Sequence, residues 1–123
     1  MSTVTPLIDS VDDLWPAEGP PDGVLEQLVL ASHLLGANRA VSNFGGGNTS
    51  AKGVALDHTG REIAVMWVKG SGSDLATMGP EHFTGLKLDE VLPLMERSEM
   101  SDEDMVAYLA RCQLDPRMPR ASI

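Results

Sequence analysis

Two glycine-rich segments carry the residue types best suited to chemistry in this sequence. The first, "NFGGGNTSAKG" at residues 43–53, places three adjacent glycines before an amide, two hydroxyls and a lysine. The second, "GSGSD" at residues 70–74, alternates glycine with serine. Glycine lets the backbone approach a ligand closely, and successive unhindered N–H groups can converge on an anion. Both segments therefore indicate recognition of a phosphate group.

Neither segment matches a standard phosphate-binding motif. The P-loop requires Gly-Lys followed by serine or threonine, whereas here Ala51 precedes Lys52 and Gly53 follows it. The dinucleotide-binding motif requires a third glycine at a spacing that the second segment lacks. The prediction of a phosphate site therefore rests on the chemistry of the residues and not on a known motif.

Side chains near the glycines supply neutral donors and positive charge. The predicted donors are Asn48, Thr49, Ser71 and Ser73, with Lys52 or Lys69 as the counter-charge. The first segment opens a predicted strand and the second follows one, so a sheet with these strands adjacent would bring both segments to one edge. The alternative interpretation is purely structural: two tight turns, rich in glycine because the chain needs positive φ angles and close packing there.

The sequence gives no sign of a metal site or of a nucleophile with its base. The histidines are His33, His58 and His82, and no two of them lie at the H-x-H or H-x-x-x-H spacing of metal ligands. The serines of the glycine-rich segments have no evident base beside them, and Cys112 falls on the apolar face of a predicted helix. No catalytic residue is predicted from the residues alone.

Hydrophobic periodicity predicts the elements that position these segments. Apolar residues recur at three- and four-residue steps over residues 22–36, which predicts a helix with Asp22 as its N-cap and Gly36 as its end. Residues 49–56 and 62–70 flank the turn "DHTG", which favours a β-hairpin. The second of these strands is apolar on both faces, as is typical of a central strand.

The rest of the chain is predicted to form one domain. Residues 1–21 are rich in proline and acidic residues and are interpreted as a loosely ordered lead-in, and residues 22–123 as the domain. Residues 85–97 combine a short strand with the start of a helix. Ser101 is predicted to cap a further helix, and the final Ser-Ile pair is interpreted as the beginning of another.

Composition excludes several classes of partner. The 123 residues carry 9 basic and 18 acidic side chains, so the formal net charge is -9, and the pI is about 4.5. This balance argues against nucleic acid or an anionic membrane as a partner. The single cysteine gives no support to an oxidising compartment, and the first residues lack a signal peptide, so a cytoplasmic location is expected.

The order of four motifs carries a family resemblance. The motifs are "LLGANRAVSNFGGGNTSAK", "WVKGSGSDLATM", "FTGLKLDEVLPLM" and "SDEDMVAYLARCQLDPRMPRASI". Together they resemble the class II aldolase/adducin family. More narrowly, they are similar to the amino-terminal part of the bifunctional rhamnulose-1-phosphate aldolase/alcohol dehydrogenase proteins, in which a short-chain dehydrogenase domain follows the aldolase domain.

The resemblance implies a fold, a reaction and a set of site residues. The implied fold is α/β, with a largely antiparallel central sheet between helical layers. The implied reaction cleaves a ketose 1-phosphate, such as rhamnulose 1-phosphate, to dihydroxyacetone phosphate and an aldehyde, with zinc held by three histidines and a glutamate that transfers the proton. The residues that match the family's phosphate-binding motifs are Gly47, Asn48, Ser71, Gly72 and Ser122.

The same resemblance implies what this chain lacks. The catalytic glutamate and the zinc histidines of the family would follow Ile123, and NAD would bind only the dehydrogenase domain. We therefore expect an amino-terminal portion of a longer, homo-oligomeric protein that is inactive and marginally stable alone, with an apolar sheet face and a sheet edge exposed. Two alternatives remain at this point: a non-catalytic, adducin-like interaction module, and a freestanding phosphate- or nucleotide-binding domain.

Overall fold

A three-stranded antiparallel sheet forms the centre of the protein, and a computed structural model describes it for residues 13–122. The strands are β1 (Ser50–Leu56), β2 (Glu62–Lys69) and β3 (Phe83–Lys87), in the order β1-β2-β3. The predicted hairpin joins β1 to β2, and β2 is the central strand, as its two apolar faces indicated. Both predictions are confirmed.

Helices cover the two faces of the sheet. They are α1 (Val24–Ala37), the single turn α2 (Leu88–Val91) and α3 (Asp102–Cys112), with short 3₁₀ helices at Pro80–His82 and Leu92–Glu96. The residues on α1 pack against one face of the sheet, and residues of α2 and α3 pack against the other. The predicted α/β arrangement, a largely antiparallel sheet between helical layers, is therefore confirmed.

Each sheet face has its own small core. On the α1 face, Leu28 of the helix packs with Leu75, Met78 and Phe83, and all four are buried. The core on the opposite face consists of Val68, Leu86, Cys112 and Ala121, with Tyr108 and Leu109 of α3 packed against it. Since adjacent residues of a strand point to opposite faces, Val68 and Lys69 at the end of β2 serve different layers.

Helix α1 begins and ends differently from the prediction. Gly23, not Asp22, is the N-cap, and no side chain caps the helix. Gly36 lies inside the helix and does not end it. Its missing side chain is required by packing, because a Cβ there would lie 2.2 Å from the backbone nitrogen of Ala76. Sequence rules assign such a glycine to a helix end, whereas this one allows the helix to touch another backbone.

The start of α3 agrees with the sequence. The Ser101 hydroxyl accepts a hydrogen bond from the Asp104 N–H at 3.1 Å, as an N-cap should. Cys112 is the buried residue of this helix, and burial raises the pKa of its thiol. A raised pKa disfavours the reactive thiolate form of this cysteine.

The last described residues are extended and not helical. Ala121 forms an antiparallel bridge with Gly70, so residues 120–122 lie beside the end of β2. At Ser122 the N–H donates to the Lys69 carbonyl across the bridge. The predicted start of a helix at the Ser-Ile pair involves Ile123 and stays a prediction. Residues 1–12 of the predicted lead-in, and Ile123, lie outside the described residues. Within residues 13–122, no helix has both the length and the apolar character needed to cross a membrane.

Candidate anion-binding site

The two glycine-rich segments lie at the same end of the sheet. We define the first glycine loop as residues 43–49, which lead into β1, and the second glycine loop as residues 70–74, which follow β2. Ser50 at the start of β1 pairs with Val68 near the end of β2. Because the strands are antiparallel, the first residue of β1 and the last residue of β2 lie at the same end of the sheet. The structure thus brings together segments that the sequence separates.

Lys69 is the residue at which these segments meet. Its N–H donates to the Thr49 carbonyl at 3.1 Å, and its carbonyl accepts from the Ser122 N–H at 2.9 Å. Its ammonium group donates to the Gly45 carbonyl at 3.3 Å. The side chain is only 2% exposed, and no other charged side chain is buried among residues 13–122. Of the two lysines that the sequence suggested, Lys69 therefore lies at the loops, whereas Lys52 is exposed along β1.

Backbone N–H groups remain available around this junction. The amides of Gly47, Asn48 and Gly72 make no hydrogen bond to any acceptor within residues 13–122. Ser71 differs, because its N–H already donates to the Arg120 carbonyl at 2.7 Å. A ligand at this edge could therefore bind the first three amides without breaking an internal bond, whereas Ser71 could offer only its hydroxyl.

Most of the predicted side-chain donors are also available. No hydrogen bond to another part of the described chain involves the side chains of Asn48, Ser71, Ser73 and Ser122. Thr49 is the exception: its hydroxyl lies 2.8 Å from the Ser32 hydroxyl, which itself donates to the Leu28 carbonyl at 2.7 Å. Since the Ser32 proton is used, the Thr49 hydroxyl must donate to Ser32. It is therefore not a donor for a ligand, contrary to the prediction.

A cavity adjoins part of the site. It has a volume of about 360 Å³, and Asn48 and Ser122 lie together in its wall. Its remaining wall is largely apolar and comes from the sheet face opposite α1, with Met66, Val68, Leu86 and Leu109. Lys69, Ser71 and Gly72 do not line it. The site therefore lies at the end of the sheet. The cavity adjoins it on the sheet face opposite α1, and the Lys69 side chain lies on the α1 face.

Local backbone geometry accounts for most of the glycines, but not all of them. Gly45, Gly47 and Gly72 have φ angles of 68°, 82° and 86°, a conformation that other residues rarely adopt. The interpretation as tight turns therefore explains these three. Gly46 has no positive φ, and a Cβ there would meet Asn43 only at 3.5 Å, which is an ordinary contact. The turn does not require a glycine at that position.

Sequence reasoning missed one feature of the site, an ion pair between the loops. Arg39, just before the first glycine loop, donates two hydrogen bonds to the Asp74 carboxylate at the end of the second. The Arg39 guanidinium lowers the pKa of Asp74, and the amide of Ala76 adds to this effect. The available signal in the sequence was a pair of opposite charges, Arg39 shortly before the first glycine segment and Asp74 at the end of the second.

The described residues do not form a metal centre. No group of three His, Cys, Asp or Glu side chains within residues 13–122 is arranged to hold a metal ion. The His33 ring lies 2.6 Å from the Met78 carbonyl, and the His82 ring accepts from the Gly79 N–H at 2.8 Å. His58 is exposed in the hairpin turn. His33 thus contacts a distant part of the backbone and His82 a neighbouring one, and no described histidine belongs to a group that could hold a metal ion.

Two known proteins are similar to this chain over most of its length. No protein-family profile matches the chain. A protein of Bacillus subtilis (strain 168), named uncharacterized oxidoreductase YuxG, is 54% identical over 116 residues, which are 92% of this chain and 17% of that protein. The N-terminal class II aldolase domain of a conserved protein from Thermoplasma acidophilum superposes with a TM-score of 0.82 and 37% identity, over 92% of this chain and 52% of that chain.

These two similarities support the fold and the context of an aldolase domain. The chain has the fold of a class II aldolase domain, as the resemblance implied. It spans about half of the solved aldolase-domain chain and a smaller share of the oxidoreductase relative. A relative that is much longer and named as an oxidoreductase is consistent with an aldolase-like domain fused to an oxidoreductase.

Proposed function

We propose that this chain is the phosphate-binding part of a class II aldolase domain that acts on a sugar phosphate, such as the ketose rhamnulose 1-phosphate. The observation that carries the proposal is the junction at Lys69, where a buried ammonium group and both glycine loops meet. Phosphate is the chemistry that such a junction suits best, because it accepts many hydrogen bonds at once and carries the opposite charge.

The donors around the junction match what a phosphate group requires. The amides of Gly47, Asn48 and Gly72 and the side chains of Asn48 and Ser122 have no hydrogen-bond partner in the described part of the chain, and they lie on segments that Lys69 joins. Neutral donors would orient the phosphate oxygens, and the buried lysine, whose ammonium group donates to the Gly45 carbonyl of the first loop, would supply positive charge. This local charge matters because the chain as a whole carries a net charge of -9 and would repel an anion elsewhere.

Gly46 supports the same interpretation. Neither its φ angle nor its packing excludes a side chain. A glycine that the fold does not need is explained if a ligand lies close to the backbone at that point, since a Cβ would then occupy the ligand's place. The steric requirement would come from the phosphate and not from the protein.

Zinc does not fit the residues described here. The three histidines are engaged or exposed, and the acidic residues are not grouped around them. No chemical step is therefore assigned to a metal on this chain. Our proposal places zinc, the catalytic glutamate and any NAD site on other parts of a longer, homo-oligomeric protein. The Bacillus relative, of which this chain spans 17%, is a longer chain of which a similar segment forms a part.

The direct test is a phosphate titration of the 123-residue chain followed by ¹H–¹⁵N NMR. Inorganic phosphate and dihydroxyacetone phosphate should each shift the amide signals of Gly47, Asn48, Ser71 and Gly72. Dihydroxyacetone without phosphate is the matched control and should leave them in place. Replacement of Asn48 by alanine should weaken phosphate binding by about 1–2 kcal/mol, because one hydrogen bond to a charged group is lost.

The outcome separates the proposal from its alternatives. Shifts confined to the two glycine loops would support a phosphate site in an aldolase domain. Unmoved signals at saturating phosphate, in a chain whose spectrum is dispersed and therefore folded, would overturn it. Such a result would favour the non-catalytic interaction module.

A further inference from the structure

Arg39 and Asp74 form an ion pair that ties the two glycine loops to each other. The guanidinium donates to both carboxylate oxygens, at 3.3 Å and 3.1 Å. The same guanidinium lies over the ring of Phe44 in the first loop, with its carbon 3.6 Å from the ring centroid. Arg39 therefore contacts the first loop with its flat face and the second loop with its donors.

The Asp74 carboxylate is held in one orientation by more than this pair. It accepts a hydrogen bond from the Ala76 N–H at 3.1 Å. The backbone carbonyl of Asp74 accepts further hydrogen bonds from the Thr77 and Met78 amides. Asp74 therefore caps the short helical turn that leads away from the second loop. A carboxylate fixed in this way gives Arg39 a rigid anchor, so the pair can set where the first loop lies.

A phosphate group that binds both loops needs them at one separation. The Lys69 ammonium reaches only the first loop, through the Gly45 carbonyl, and does not fix the second. The loop regions also pack against each other, since a Cβ on Gly47 would lie 2.8 Å from the Leu75 side chain. The Gly45 amide of the first loop adds a smaller contribution to the lowered pKa of Asp74. Packing sets a minimum distance, whereas the bidentate pair also limits how far the loops can separate.

We propose that Arg39 and Asp74 are positioning residues for the anion site, and that their ion pair holds the two glycine loops at the separation at which both bind one phosphate group. This inference rests on the proposed function. The pair itself contributes little to folding stability, because its side chains are 33% and 22% exposed. Its effect is on affinity for the anion.

Replacement of Asp74 by asparagine gives the sharpest test, because two explanations predict opposite signs. If charge alone mattered, removal of a negative group beside the site would strengthen phosphate binding. The positioning role predicts weaker binding, by about tenfold or more, because a displacement of about 1 Å in a binding site has effects of that size. The measured quantity is the dissociation constant for inorganic phosphate at fixed ionic strength.

Two further variants complete the design. Asp115→Asn is the matched control, because it breaks another Asp–Arg pair, with Arg117, and changes the net charge equally outside the glycine loops. It should leave phosphate affinity unchanged. Arg39→Lys keeps the charge but loses the planar, two-point donor, so it should also weaken phosphate binding. It replaces Asp74→Asn as the test variant if Asp74→Asn does not fold. Urea denaturation checks that each variant is folded.

Each result decides the matter. Weaker binding in folded Asp74→Asn, or in Arg39→Lys where Asp74→Asn does not fold, with Asp115→Asn unchanged, supports the positioning role. A wild-type chain that binds phosphate while a folded Asp74→Asn variant binds it equally well or better overturns the positioning role and leaves the proposed function intact. A folded wild-type chain that does not bind phosphate overturns both.

Discussion

Replacement of Lys69 by methionine should make the protein more stable and, at the same time, a poorer phosphate binder. The lysine is 2% exposed, and its ammonium group makes one hydrogen bond to the described residues, to the Gly45 carbonyl at 3.3 Å. None of the ion pairs formed by residues 13–122 includes it. Methionine keeps a flexible apolar side chain of similar length, so the packing on β2 is retained while the charge is removed.

The magnitudes decide the sign of the stability change. Transfer of an ammonium group from water to a protein interior costs several kcal/mol after relaxation, and one hydrogen bond to a charged group offsets about 1.5–3 kcal/mol of this. We therefore expect the free energy of unfolding to rise by about 1–3 kcal/mol in Lys69→Met. Phosphate affinity should fall by about tenfold or more, because the variant loses a charged interaction with the anion of about 1.5–3 kcal/mol and each 1.4 kcal/mol is about tenfold in the dissociation constant.

The assay is urea denaturation of wild type and Lys69→Met, with and without phosphate. Phosphate should raise the midpoint of the wild type and have a much smaller effect on the variant, since a ligand stabilises only the state that it binds. Lys52→Met is the matched control: this lysine is exposed on β1, so its loss should change stability by less than about 0.5 kcal/mol. A Lys69→Met chain that is less stable than wild type, or that binds phosphate equally well, would refute the reasoning.

Three further predictions test the packing, the loop and the pH dependence. Gly36→Ala should destabilise the protein by about 1–3 kcal/mol, because its Cβ would lie 2.2 Å from the Ala76 nitrogen. Alanine in place of glycine normally stabilises a helix by about 1 kcal/mol, so the expected sign is the reverse of the helix propensity. A higher urea midpoint in the variant would contradict this prediction. Gly46→Ala should leave that midpoint within about 0.5 kcal/mol of wild type but weaken phosphate binding in the NMR titration. The Arg117 guanidinium lowers the pKa of Asp115 to about 2; because this lies below the unfolded-state pKa, stability from the pair should be complete above about pH 4 and lost as the pH falls towards 2. Asp115→Asn should remove that part of the pH profile of urea denaturation.

The local elements were predictable because short-range rules determine them. The hairpin follows from the turn between β1 and β2, and the central position of β2 follows from its two apolar faces. The cap at Ser101 follows from its own sequence context. In each case, residues close together in sequence contain all the required information.

The remaining features depend on contacts between distant residues. Gly36 was interpreted as a helix end because its packing partner, Ala76, lies 40 residues further along the chain. Thr49 was predicted to donate to a ligand because its sequence neighbours do not indicate that its hydroxyl group bonds to Ser32, 17 residues earlier in the chain. The choice of Lys69 over Lys52 required the strand order. Sequence reasoning therefore identified two segments that the structure brings together, but it could not tell which of their hydroxyl groups the protein itself uses.

The junction at Lys69 has a consequence for the kinetics of folding. It joins a segment before β1 to one after α3, so it can form only when the register of β2 is complete. Contacts between such distant segments are generally slow to form, and we expect them to be absent from the folding transition state. An anion held there would then lengthen the lifetime of the native chain without accelerating its formation.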